Sequence, residues 1–277
     1  MKYGFVFPYG GPHQAAEFAY TAEQAGWDGF FVWEPVWGFD AWILLAAAAM
    51  RTEHIRLGTL ISPISRMRPW KLASETVTLD HLSGGRLILS VGLGAVDTGF
   101  EAFNEVTDRK TRAELLDESL DILTGLWRGQ PFSYKGQHYQ VQPTEFFPPP
   151  PPLQQPRIPI WVVGAWPRLK SMRRALRYEG LLPNVFDNQG KNRALTPADV
   201  EEIHAYVQQN RSPGTPFDIV VEGVTPAGNR QAGASQVDEW ARAGATWWIE
   251  ALWEAIEQPN GLQRALERVE QGPPRSE

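Results

Sequence analysis

The residues whose types and positions suit chemistry are carboxylates set among aromatic rings. Glu34 follows an apolar run and stands between Trp33, Pro35 and Trp37. A carboxyl in such surroundings is pushed above its usual pKa and can then handle protons near neutrality. The competing reading is a structural carboxylate paired with an arginine. Glu222 and Glu250 end two further apolar runs and carry the same two readings. The five histidines are scattered, and only His13 follows a strand-like run closely. No histidine pair has metal-ligand spacing, so no metal is expected. Cysteine is absent, which excludes disulfides, thiol nucleophiles and cysteine metal sites. Neither a G-x-S-x-G nor a Walker A pattern appears. Without such a nucleophile or a metal, a redox cofactor could supply the reactivity.

Two glycine-bearing turns could hold such a ligand. In VVGAWPRLKS (162–171) an apolar run passes through a glycine turn into a helix start, with Arg168 and Lys170 in the first turn. Free backbone N–H groups and the helix dipole favour an anion there. Cations in a first turn are unfavourable without an anion to offset them. Gly164, Ala165, Trp166 and Arg168 are therefore candidates for binding a phosphate. A plain tight turn with solvated cations is the alternative. VGLGA (91–95) offers Gly92 and Gly94, where backbone can approach a ligand closely or simply turn tightly.

These residues need a scaffold that gathers them. Short apolar runs occur at 3–7, 29–33, 55–61, 87–91, 159–163, 181–186, 217–222 and 246–250. Their lengths and their Gly, Pro or charged borders suit buried parallel strands. Helical patterns separate them, at 15–25, 40–50, 69–82, 111–127, 167–178, 196–209, 235–243 and 262–269. Asp40 and Thr196 read as N-caps, Pro69 and Pro197 as first-turn prolines, and Gly26 as a C-cap. Eight βα units in 277 residues predict an α/β fold, a closed (β/α)8 barrel. A doubly wound open sheet fits less well, because no GxGxxG follows the first strand. In the barrel, catalytic groups belong on the loops after the strands, where the candidates above all lie.

The expected organisation is one domain over 1–277, with an excursion at about 128–157. That excursion holds a hairpin-like FSYKGQHYQVQ and then FFPPPPPLQQP, which favours extended polyproline. It is expected to be an arm covering a barrel end. The net charge of −6 argues against nucleic acid as a partner. No apolar run approaches the ~20 residues that span a bilayer, so no membrane contact is expected. The opening MKYGFVFPYGG reads as a first strand and not a signal peptide, which points to the cytoplasm. The twelve tryptophans are either core packing or the walls of a pocket for something flat. A Trp-rich barrel with three strand-end glutamates would also suit a glycoside hydrolase, and a mouth filled by Trp a binding barrel without activity.

At EQAGWDGFFVWEP, RTEHIRLGTLISP, LDHLSGGRLILSVGLGA, LDESLDILTGLWRGQPFSYKGQHY and QPRIPIWVVGAWP the sequence resembles the bacterial luciferase-like flavin- or F420-dependent oxidoreductases. The resemblance is dense over about the first two thirds of the chain. It implies a (β/α)8 barrel binding FMN or coenzyme F420 at the strand C-terminal ends. It implies hydride transfer with a small organic substrate, or FMN-dependent monooxygenation with reduced flavin from a partner reductase, and a homodimer. Relatives that use the deazaflavin have a non-prolyl cis peptide after the third strand, which by position is the bond between Thr59 and Leu60. The ring would then lie against Thr59, Leu60 and Ile61, with Glu34 and Trp37 on the substrate side. Gly164 and Ala165 would serve the cofactor phosphate. Such relatives often place a His after the second strand, where this sequence has Glu34.

Overall fold

The computed structural model describes residues 1–145, 147–212 and 214–275. Its centre is a ring of parallel strands: β1 (Lys2–Phe7), β2 (Gly29–Val32), β3 (Arg56–Thr59), β4 (Leu87–Val91), β7 (Ile160–Trp166), β8 (Gly180–Phe186), β10 (Asp218–Gly223) and β11 (Trp247–Glu250). Each pairs in parallel with the next, and β11 returns to β1 through Lys2 opposite Trp247. The ring closes between β8 and β10, where Gly180 and Leu181 face Asp218 and Ile219. This is the closed (β/α)8 barrel expected, and the open sheet is excluded by that last pairing.

Helices α1 (Pro12–Gln24), α2 (Ala41–Ala49), α3 (Pro69–Leu82), α4 (Arg109–Trp127), α5 (Leu169–Ala175), α6 (Pro197–Asn210), α7 (Arg230–Ala243) and α8 (Gly261–Glu270) alternate with those strands. Their starts follow the local chemistry. Asp40 accepts from Ile43 N at 2.9 Å, and Thr196 with Asp199 forms a reciprocal capping box. α7 begins five residues earlier than expected because Asn229 caps it, accepting from Ala232 N at 3.0 Å. α5 is shorter than expected. Residues before proline favour the extended region, so Trp166 stays in β7 opposite Val185 and the helix starts after Arg168.

The barrel interior is aromatic at its floor. Phe31 stacks on Trp161 at 5.5 Å, and Trp247 meets Trp161 edge-on at 5.2 Å. These rings fit because facing strands carry glycine. A Cβ on Gly29 would lie 2.7 Å from Phe31 and 2.9 Å from Trp247. The second apolar layer lies between strands and helices, and Trp248 belongs to it, facing Trp240 of α7.

The excursion holds strands β5 (Phe132–Lys135) and β6 (Gln140–Thr144), paired antiparallel. Glu118 of α4 accepts the backbone N–H groups of Gln137, His138 and Tyr139. The proline run then passes α3, where Asp80 accepts from Leu153 N at 2.7 Å and Gln154 Nε2 at 2.7 Å. The arm therefore lies along the outer faces of α3 and α4. At the barrel's N-terminal end Gln154 donates to Leu87 O and accepts from Arg56, and Leu153 lies beside Gly85. Carboxylates on those helices, the half-buried Glu118 and the wholly buried Asp80, hold the arm's backbone.

No helix of the described residues is long and apolar enough to cross a membrane.

Candidate active site

The mouth of the barrel is shaped first by the turn after β3. Leu60 N donates to Val32 O at 2.7 Å, so the ladder continues one residue past the strand. The peptide bond between Leu60 and Ile61 is cis. It lies one residue beyond the bond between Thr59 and Leu60 that the sequence suggested, because Leu60 is still hydrogen-bonded to β2. Ser62 N then donates to Ser90 O at 2.8 Å, tying the turn to β4. Thr59 is wholly buried, and its hydroxyl donates to Ser90 O at 3.1 Å. It supports the turn from behind and does not face the mouth.

Glu34 is bound to this turn. Ser62 Oγ donates to Glu34 Oε2 at 2.7 Å. Arg66, in the short 3-10 helix Ile64–Arg66, donates to Pro35 O at 2.7 Å, and its guanidinium lies 3.8 Å from Glu34 Oε1. The Glu34 side chain is only 10% exposed. Burial pushes its pKa up to about 6, against the Ser62 bond and the Arg66 charge. The two sequence readings thus hold together: Glu34 has an arginine neighbour and still titrates near neutrality. Trp33 donates to Pro8 O at 2.6 Å across the first two strand ends. Trp37 stands on the loop after β2 and is 82% exposed.

The β4 turn needs its glycines. A Cβ on Gly92 would lie 2.5 Å from Ile61 Cδ1, so glycine lets the two turns close together. Gly94 has φ +74° and lies against Pro63 and Phe100. Arg112 of α4, which no local pattern singles out, donates to Leu93 O at 2.8 Å and Gly94 O at 3.1 Å.

The β7 turn is arranged differently from expectation. Gly164 faces Leu181 and Met172, away from the mouth. Trp166 packs on Tyr206 of α6 and donates to Glu202 at 3.3 Å, also outward. Ala165 aligns with Asn184, but its N–H donates to Ser171 Oγ at 3.0 Å. Arg168 lies 4.2 Å over the ring of Phe186. An anion there meets fewer free N–H groups than the sequence implied, since Ala165 N donates to Ser171 Oγ, Arg168 N to Ala165 O and Ser171 N to Arg168 O.

A cavity of about 370 Å³ opens in the mouth, with Leu60, Leu182, Val220 and Ile249 as apolar walls and Asn184 and Glu222 as polar ones. Sites for small ligands run from about 300 Å³ upward and combine apolar walls with a few polar groups. The walls, which also include Asn192 and Arg193, therefore have the make-up of a small-molecule site. Glu222 is open to water, yet protein surrounds it on its other sides. That enclosure raises its pKa, partly offset by Trp253 Nε1, which donates to it at 3.3 Å. Glu250 is different. It is wholly buried outside the barrel wall, bonded to Thr225, to Trp248 Nε1 at 3.1 Å and to Arg268 at 3.3 Å. It is structural, which removes one of the three carboxylates from the hydrolase reading. His13 is exposed at the start of α1.

A (β/α)8 barrel with a raised-pKa carboxyl behind a strand-end turn, and a cavity in front of it, has the architecture of a small-molecule enzyme. The chain belongs to the luciferase-like monooxygenase family, whose model matches residues 1–272. It is 30% identical over 173 residues to an F420-dependent glucose-6-phosphate dehydrogenase of Amycolatopsis mediterranei (strain U-32), covering 57% of this chain and 49% of that protein. It is 34% identical over 125 residues to the oxygenase component of the flavin-dependent trigonelline monooxygenase of Acinetobacter baylyi, covering 44% of this chain and 33% of that protein. The chain thus spans about half the length, or less, of these two relatives. Its fold matches an F420-dependent secondary alcohol dehydrogenase in complex with an F420-acetone adduct, with TM-score 0.76, 16% identity and coverage of 99% and 98% of the two chains.

Proposed function

We propose that the chain is an oxidoreductase that binds coenzyme F420 or FMN in the mouth cavity and acts on a small organic substrate. The observation that carries this reading is the joining of the turn at residues 60–62 to Glu34. Leu60 walls the cavity, and Glu34 holds the same turn through Ser62. Leu60 and Ile61 would support the ring, with Gly92 allowing the close approach of the β4 turn. Ala165 and Arg168 remain the candidates for the cofactor phosphate, with Gly94, Gly164 and Trp166 shaping the turns around it. Bound there, the cofactor would supply hydride transfer.

The chain's own part is to position and to move a proton. With Glu34 ionised, Ser62 Oγ donates to Oε2. With Glu34 protonated, Oε2–H can instead donate to Ser62 Oγ, and a proton passed along this pair leaves by the Ser62 hydroxyl. A group with pKa about 6 suits such an exchange near neutral pH. Trp37 stands exposed where a substrate would arrive.

The F420-dependent relative supports hydride transfer, and the trigonelline oxygenase component supports a second reading. In that reading the chain is an FMN-dependent monooxygenase supplied with reduced flavin by a separate reductase. In either case we take it to work in the cytoplasm, as a homodimer, without nucleic acid.

Titration of the purified protein with oxidised FMN and with F420, followed by cofactor fluorescence, tests the proposal. Micromolar binding of F420 and not FMN selects hydride transfer, whereas binding of FMN identifies the cofactor and leaves oxygen uptake with reduced FMN to separate the two readings. Binding of neither removes both.

A further inference from the structure

The mouth contains a second cavity, of about 380 Å³, beside the first. Its walls include Val224, Ala251, Leu252 and Trp253, so it is mainly apolar. Glu222 borders both cavities, and among the described residues it is the only one to do so. It thus stands between the space assigned to a cofactor ring and a separate apolar space.

Glu222 also has an unfilled hydrogen-bonding capacity. The other enclosed carboxylates have firm partners: Glu34 has Ser62 and Arg66, Glu250 has Arg268, and Asp199 has Arg193. Glu222 accepts one long bond, from the Trp253 indole. No ion pair involves it among the described residues. A carboxylate offers about four lone-pair sites, so most of those on Glu222 are left to water or to a ligand. Glu254 borders the same cavity and adds a second negative charge. Arg264 borders it too and contributes one positive charge, its guanidinium donating to the neutral Gln258 side chain.

We propose that the second cavity is the substrate subsite and that Glu222 is the residue that receives the substrate. The class it selects is an apolar molecule presenting one hydrogen-bond donor, a hydroxyl or an amine, and carrying no phosphate or carboxylate. The apolar body packs on Leu252 and Trp253. The donor group satisfies Glu222, at the boundary with the first cavity. An anionic substrate would meet a wall of net negative charge, since Glu222 and Glu254 outnumber Arg264. The assignment of the first cavity to a cofactor rests on the function proposed above; the recognition chemistry of the second does not.

The test uses the whole chain without cofactor and three probes sharing one ring: cyclohexanol, cyclohexylamine and cyclohexanecarboxylate. Trp253 reports occupancy, as the difference in emission between the parent protein and Trp253→Phe. Saturable binding of the alcohol or the amine, with the tighter one naming the donor, and none of the carboxylate over the same range is the expected result. Glu222→Gln should then bind the amine about tenfold or more weakly, the loss of one charge-assisted hydrogen bond. Equal binding of the carboxylate, unchanged amine binding by Glu222→Gln, or no response to any probe overturns the proposal. Retained amine binding by a chain that takes up neither F420 nor FMN supports this subsite while removing the redox reading. The converse pattern removes only the subsite.

Discussion

At the scale of single residues, Glu34 is pulled by opposing effects. Burial disfavours its charge, while Ser62 and Arg66 favour it, and burial wins by enough to bring the pKa to about 6 from an ordinary 4.5. The folded protein therefore holds the proton at pH values where the unfolded chain has lost it. The stability from this carboxyl is fully present below about pH 4.5 and is lost as pH rises through about 6. The interval corresponds to about 2 kcal/mol. Urea unfolding of the parent protein and of Glu34→Gln across pH 4 to 7 should show this fall in the parent alone; parallel curves would remove the raised pKa and the proton-handling role with it. Glu34 was legible because its neighbours Trp33, Pro35 and Trp37 are adjacent in sequence. Its partners were not, since Ser62 is 28 residues away and the Arg66 bond to Pro35 spans 31. Only folding brings such pairs together. Glu222 gave less signal still, because what distinguishes it is the cavity on either side, which no local pattern encodes.

At the scale of elements, periodicity and punctuation were enough for the eight barrel strands and their helices, since buried parallel strands and capped helices are local patterns. The β7 turn was harder. Its glycine and cations suggested an anion cradle, but which way Gly164 and Trp166 face depends on the register of β7 against β8. The position of the proline arm was not legible either, for its hairpin is held by Glu118 of α4 and its proline run by one buried side chain in α3. Asp80 is wholly buried, and accepts from Leu153 N, Gln154 N and Gln154 Nε2. Asp80→Ala would leave those donors without their acceptor at a cost of about 3 kcal/mol. His81→Ala removes a bond of 2.9 Å to Pro151 O at the surface and should change stability by about 0.5 kcal/mol or less. Denaturation midpoints and limited proteolysis of the two variants separate the cases: the Asp80 variant should be cut faster within the arm. Equal behaviour would mean that packing on α4 alone retains the arm.

At the scale of the whole molecule, the barrel works by dividing its interior into a filled floor and an open mouth. Phe31, Trp161 and Trp247 fill the floor, and the cavities lie above them at the strand C-terminal ends. That division answers the question the twelve tryptophans raise, since Trp161, Trp247 and Trp248 are core while Trp253 borders the mouth. The floor depends on a match of large rings with missing side chains, and the match can be tested. A Cβ on Gly29 would press on the rings of Phe31 and Trp247, which can shift, at 2.7 and 2.9 Å. A Cβ on Gly58 would lie 2.5 Å from the backbone oxygen of Ile88, which cannot move without disturbing β4. Both alanine variants should lose stability by about 1–3 kcal/mol, the usual cost of overfilling a packed interior. Phe31→Leu gives up ring volume and should lower the cost of Gly29→Ala when the two are combined. It should leave most of the cost of Gly58→Ala in place. A double-mutant cycle on unfolding free energies reads the difference as a coupling of about 1 kcal/mol for the Gly29 pair and a much smaller one for the Gly58 pair. Equal couplings would mean that the strand backbone yields as readily as the rings, and that the floor is softer than its packing implies.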